Sequence, residues 1–211
     1  MRAVEVSRFG GPEVLRLVDL ERPSPISTEI LVRVLAAGVN PVDCKTRRGE
    51  GVARWLGAPP FVVGWDVAGV VEAMGYGVTR FAVGDVVFGM PRFPRAVGAY
   101  GEFVTAPSRQ FARAPKSISP TDAAGLPLAA LTAWQCLVDT ATVRGDQKVL
   151  VHGASGGVGH LAVQIAKSRG ACVVTTGSRD RDALASRGVD VALDLVGGSD
   201  TMLLLETLRE G

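Results

Sequence analysis

The run from Val149 to Gly159, VLVHGASGGVG, constrains this chain more than any other stretch. A short apolar run of strand type stops at a glycine, and a turn of small residues follows. Gly-Gly-Val-Gly then opens HLAVQIAKSRGA, whose apolar residues recur with helical period. Strand, glycine turn and helix in this order begin a βαβ unit. Gly153, Gly156 and Gly159 read G-x-x-G-x-x-G, one residue longer in the first gap than the dinucleotide fingerprint. The physical demands are alike: one glycine for the tight turn, one for close approach of backbone N–H groups to a pyrophosphate, one for helix–strand packing. The candidate contacts are Gly153, Ser155, Gly156, Gly157, Val158 and Gly159. Unpaired N–H groups and the helix dipole favour an anion there. The same pattern also serves as a bare strand-to-helix turn.

The end of the second strand narrows the choice. In an NAD site an acidic residue about 20 positions past the glycines holds the ribose hydroxyls. Here that count lands on TTGSRDRD, with Ser178 in the slot and Arg179 and Arg181 close behind. A small hydroxyl and two guanidiniums suit a 2′-phosphate, so NADP(H) is expected over NAD(H). The alternative is that both arginines are solvated at a helix start. Asp180 and Asp182 read equally well as helix-terminus residues.

From about residue 119 the chain alternates strands and helices: KVLVHG, GGVGHLAVQIAKSRG, CVVTTGS, RDRDALASRG, VDVALDLVG and SDTMLLLETLREG. Such alternation predicts a parallel sheet with helices on its faces. Before residue 119 the pattern differs. MRAVEVSRF, VLRLVDL, EILVRVLAAGV, DVAGVVEAMG, GDVVFG, GEFVTAP and QFARAP are short β-prone runs separated by Gly and Pro clusters, which suggest a barrel or sandwich. The expected organisation is an all-β domain over 1–118 and an α/β domain over 119–211. Between them Ser119 or Thr121 caps a helix through AAGLPLAALTAWQCLVDTA, bent or split by Pro127.

Composition excludes several function classes. Net charge is +2, from 23 basic and 21 acidic residues, which gives no electrostatic case for nucleic acid or an anionic membrane. The longest apolar run, AAGLPLAALTAW at 123–134, is too short to span a bilayer and carries a proline. MRAVEVSRFGGPE has no secretory h-region. Cys44, Cys136 and Cys172 are odd in number and far apart, unlike a disulfide framework or zinc knuckle. A cytoplasmic protein is expected.

Five further runs, in order, carry a resemblance: AAGVNPVDCKTRRG (36–49), PFVVGWDVAGVVEAMGYGVTRFAVGDVVFG (60–89), GAYGEFVTAP (98–107), GLPLAALTAWQCL (125–137) and VLVHGASGGVGHLAVQIAK (149–167). They resemble the zinc-independent quinone oxidoreductase branch of the medium-chain dehydrogenase/reductase superfamily. The resemblance implies an α/β chain: an N-terminal GroES-like β-barrel, a C-terminal Rossmann sheet and a cleft between them. It implies NADPH-dependent hydride transfer to quinones or α,β-unsaturated carbonyls. Zinc-dependent relatives carry Cys in the slot of Asn40 and His in the slot of Trp65. Neither residue here is a zinc ligand, so no metal is expected, and His152 and His160 read as a strand-end and a helix-surface residue. The resemblance places Asn40 near the nicotinamide, with Asp43 and Lys45 on the same loop, and Thr132 at the nicotinamide end from its helix. Asn40-Pro41 is also a plain turn signal, and Asp43 is also a partner for a backbone amide. No residue stands out as general acid, which leaves proximity and orientation as the main expected contributions. The loop GMPRFPRAVGAY (89–100) reads as a solvated connector, or as a cleft rim whose Phe93 and Tyr100 stack on a flat ring.

The chain also departs from that pattern. A full sheet needs two βαβαβ halves, and the chain offers roughly one. A short strand and helix of the family pattern are absent between about Ala185 and Val189, so the strand at Val189–Val196 is expected to fill the wrong slot or to shift. The expected result is an unpaired sheet edge and uncovered apolar faces. The shortened chain therefore admits a second reading: a non-catalytic nucleotide-binding or partner protein derived from such an enzyme. Homo-oligomerisation is possible but not inferable.

Overall fold

Valine-rich alternation builds the first half of the chain into antiparallel sheets. In the computed structural model, which describes residues 1–176 and 188–209, β1 (Arg2–Val6) pairs with β2 (Leu15–Asp19) and, through its other edge, with β4 (Phe61–Val62). A larger sheet has the order β7-β3-β5-β6-β8, from β3 (Glu29–Ala37), β5 (Val67–Met74), β6 (Val86–Gly89), β7 (Phe103–Pro107) and β8 (Ala112–Arg113). Its inner face buries Ile30, Val32, Val67, Val71, Val87 and Val104. Each such side chain contributes about 1.5–3 kcal/mol of hydrophobic stabilisation. A second cluster gathers Val6, Val14, Val63 and Trp65 under the smaller sheet. These elements belong to one compact unit, Met1–Leu128; the other is Ala129–Gly211.

One helix lies in a stretch that the sequence also presents as a turn. The Asn-Pro pair opens α1 (Pro41–Arg47), not a loop. Pro41 stands at the first helical position, where a missing N–H costs nothing. Asp43, two positions on, accepts the Asn40 backbone N–H at 2.7 Å. A single turn, α2 (Ala53–Leu56), comes next. The expected helix after Ser119 is split at Pro127. The first piece, α3 (Pro120–Ala124), is capped by Ser119, whose hydroxyl accepts the Asp122 N–H at 3.1 Å. It seats Ala123 and Ala124 on Ala68 of β5, so it falls within the first unit. The second piece, α4 (Pro127–Trp134), runs into a π-type turn, Gln135–Thr140.

In the second unit β9 (Lys148–His152) is central, parallel to β10 (Cys172–Thr176) on one side and β11 (Val191–Asp194) on the other. Val149 and Val151 face α5 (Gly157–Ser168), packing with Ala162 and Ala166. Leu150 faces the opposite way, against Leu204 of α6 (Asp200–Thr207). Both faces of β9 are therefore covered, which is why it reads as an unbroken apolar run. In the doubly wound order the first strand is flanked by the second and fourth. β11 takes the fourth-strand slot beside β9 without shifting, and no third strand appears among the described residues. The helix expected over RDRDALASRG falls largely outside them.

Candidate functional site

The glycine turn is built by backbone bonds from the strand ends. Gly153, at φ +82°, and Ala154 both donate to the Thr176 carbonyl at the end of β10, at 3.0 and 3.3 Å. Gly156 donates back to Gly153 at 3.0 Å and caps α5. The remaining glycines divide by environment. A Cβ on Gly159 would stand 2.2 Å from the Gly153 carbonyl oxygen, so this position admits only glycine if helix and turn are to touch. A Cβ on Gly157 would meet nothing within 4 Å. Ser155, Gly156 and Gly157 are exposed, Val158 is half-buried and Gly159 is buried. The first-turn N–H groups of residues 157–159 have no backbone acceptor in the turn, as expected of a helix start. An open glycine on a donor-rich helix N-terminus fits a pyrophosphate. Ser178, Arg179 and Arg181 lie outside the described residues.

In the first unit a polar cluster gathers around the start of α1. Asn40 Nδ2 donates to Asp66 Oδ2 at 2.9 Å. The Leu128 N–H, a first-turn donor of α4, reaches both Asp66 oxygens at 3.0 and 3.2 Å. Tyr100 donates its hydroxyl to Asp43 Oδ2 at 3.0 Å, the oxygen that also takes the Asn40 N–H. Gly38 leaves room for this arrangement: a Cβ there would lie 2.8 Å from Asp66 Cβ and 2.5 Å from the Ala124 carbonyl oxygen. Burial pushes the Asp66 carboxyl up to about 6, against the lowering effect of the Asn40 and Leu128 donors, and the Asp43 charge adds to the rise. Asp43 is likewise raised by burial, against its bonds to Asn40 and Tyr100. Burial and the Asp43 charge raise the Tyr100 hydroxyl, which stays protonated. A cavity of about 200 Å³ lies beside Asp43, lined also by Leu15, Val39, Cys44, Arg47, Val63 and Tyr100.

The structure thus brings Asn40 and Asp43 together and adds Asp66 and Tyr100. Sequence reasoning missed Asp66, whose only signal is an acid inside the apolar run VVGWDVAGVV. Thr132 lies half-buried on α4 in the second unit. Lys45 is exposed on α1. Trp65 is fully buried, donating Nε1 to the Arg95 carbonyl at 2.8 Å and meeting Phe93 edge-on. His152 ends β9, buried, with Nδ1 2.7 Å from the Thr176 hydroxyl. His160 is exposed on α5. Among the described residues no three His, Cys, Asp or Glu side chains come together as a metal site. Among them, too, no helix is long and apolar enough to cross a membrane.

Residues 27–116 match the alcohol dehydrogenase GroES-like domain. The chain is 41% identical over 182 residues to the quinone oxidoreductase of Rattus norvegicus, covering 85% of this chain and 54% of that protein. It spans about half the length of the curated relatives it matches. The quinone oxidoreductase from Coxiella burnetii superposes with a TM-score of 0.90 at 36% identity, over 99% of this chain and 73% of that one. The Escherichia coli quinone oxidoreductase, solved with NADPH, gives 0.84 at 28% identity, over 99% and 70%.

Proposed function

The chain belongs to the quinone oxidoreductase-like proteins of the medium-chain dehydrogenase/reductase superfamily, and on that premise we propose that it serves NADPH-dependent reduction of a quinone or α,β-unsaturated carbonyl without zinc. The observation that carries the reading is the glycine turn: closed at Gly159, where helix meets strand, and open at Gly157, where a phosphate would approach. The N–H groups of residues 157–159 hold the pyrophosphate, with Ser155 and Gly156 beside them. Ser178, Arg179 and Arg181 read the 2′-phosphate, which favours NADPH over NADH. Bound there, the dinucleotide would supply a hydride, which with one proton from solvent would convert a quinone to a hydroquinone.

The chain's own residues bind and orient. Asn40 offers one end of its amide to the ligand while the other is held by Asp66. Asp43 fixes the Asn40 backbone and the start of α1. Thr132 contacts the nicotinamide end. Zinc independence rests on Asn40 and Trp65, since an amide and a buried indole replace the Cys and His ligands of zinc-dependent relatives. Three free cysteines suit a reducing, cytoplasmic setting.

The test is NADPH oxidation by the purified chain with a fully substituted benzoquinone, which has no ring position open to thiol addition. Turnover that saturates in both substrates is expected. Cofactor binding without turnover would favour the non-catalytic nucleotide-binding reading instead.

A further inference from the structure

Among the described residues the Asp66 carboxylate meets only hydrogen-bond donors. Asn40 Nδ2 approaches one oxygen and the Leu128 N–H is shared between both. The side chain is fully buried and makes no ion pair among the described residues. An ionised carboxylate can only accept. It therefore selects the donating end of the Asn40 amide and turns Oδ1 away from itself. A protonated carboxyl needs an acceptor for its own O–H, and the Leu128 N–H is only a donor. A half-turn of the Asn40 amide, whose two ends have nearly the same shape, brings Oδ1 to Asp66 and sends Nδ2 outward.

We propose that Asp66 is a positioning residue whose charge state sets which end of the Asn40 amide faces the ligand, and so whether the site offers an N–H donor or an acceptor. This rests on the reductase reading above. For that reaction the donor end is the productive one. Hydride addition places negative charge on the quinone or enone oxygen, and an N–H aimed at it stabilises that charge. The groups that act on Asp66 are Asp43 on α1 and the Asn40 and Leu128 donors, and Tyr100, from the turn before β7, is itself raised by the Asp66 charge. The carboxyl titrates near 6, so both amide orientations fall within a workable pH range.

Asp66→Asn imitates the protonated form: its own amide donates to Asn40 Oδ1 while its carbonyl accepts the Leu128 N–H. In the full chain, with NADPH and a fully substituted benzoquinone, wild-type kcat/KM should fall at least about fivefold between roughly pH 5.5 and pH 7.5, whereas Asp66→Asn holds its low-pH value throughout. A second readout needs no turnover. The Asn40 side-chain amide resonances, assigned by their loss in Asn40→Ser, should shift with a midpoint near 6 in the wild type and stay fixed in Asp66→Asn. The wild-type titration decides alone if the variant does not fold. A titrating amide with no turnover at any pH upholds the proposal and sinks the reductase reading. Turnover with an unchanged pH profile in Asp66→Asn, or an Asn40 amide indifferent to pH, overturns the proposal.

Discussion

Asp66 is held, among the described residues, by neutral donors alone in a fully buried position, and this carries a thermodynamic consequence of its own. Its folded-state pKa of about 6 stands above the ordinary 3.8, so between those values the folded protein keeps a proton that the unfolded chain has released. Stability from this group is full below about pH 4 and is lost as the pH rises through about 6. The span corresponds to something on the order of 3 kcal/mol. Asp66→Asn never ionises. It should therefore gain on the wild type by up to that amount between pH 4.5 and pH 8 in urea unfolding followed by emission of the buried Trp65. A stability difference that stays constant across that range would show that the carboxyl titrates normally. Asp66 stayed hidden in the sequence because its partners lie 26 and 62 positions away. A local pattern cannot express such a pairing, and the residue itself sits among valines.

At the scale of elements, the strand–turn–helix of β9 and α5 separates two roles of glycine. Gly159→Ala forces a methyl into the Gly153 carbonyl and should destabilise the second unit by about 1–3 kcal/mol. Gly157→Ala meets open space and should leave stability unchanged or slightly raised, yet weaken NADPH binding at least about tenfold by blocking close phosphate approach. Thermal melts paired with fluorescence titration read both effects. Equal NADPH affinity in Gly157→Ala would reduce the motif to a turn. This element was legible because an unbroken apolar run gives way across the glycines to the 3.6 period of a helix long enough to count. α1 was not legible. Its helix rests on Pro41 at the first position and on the Asp43 bond to Asn40, and the same Asn-Pro pair also begins turns. The fourth-strand slot of β11 was legible as an anomaly only, since pairing register belongs to the folded sheet.

At the scale of the whole molecule, ligand binding should act on one unit before the other. NADPH at 100 times its dissociation constant should stabilise the second unit by about 2.7 kcal/mol, and hydrogen exchange should slow first in β9 and α5. NADH should do markedly less, and Arg179→Ala with Arg181→Ala should erase the difference. Equal protection by both dinucleotides would mean that the 2′-phosphate is not read. The sheet of this unit has a further property. Among the described residues its outer strands, Cys-Val-Val-Thr-Thr and Val-Ala-Leu-Asp, carry no flanking strand, no lysine and no proline. These are the residues with which other sheets discourage strand addition. Handling of the protein is then partly a colloidal matter. The concentration at which it is expressed, refolded and stored should compete with its chemistry, and a ligand that tightens the sheet should double as its solubiliser.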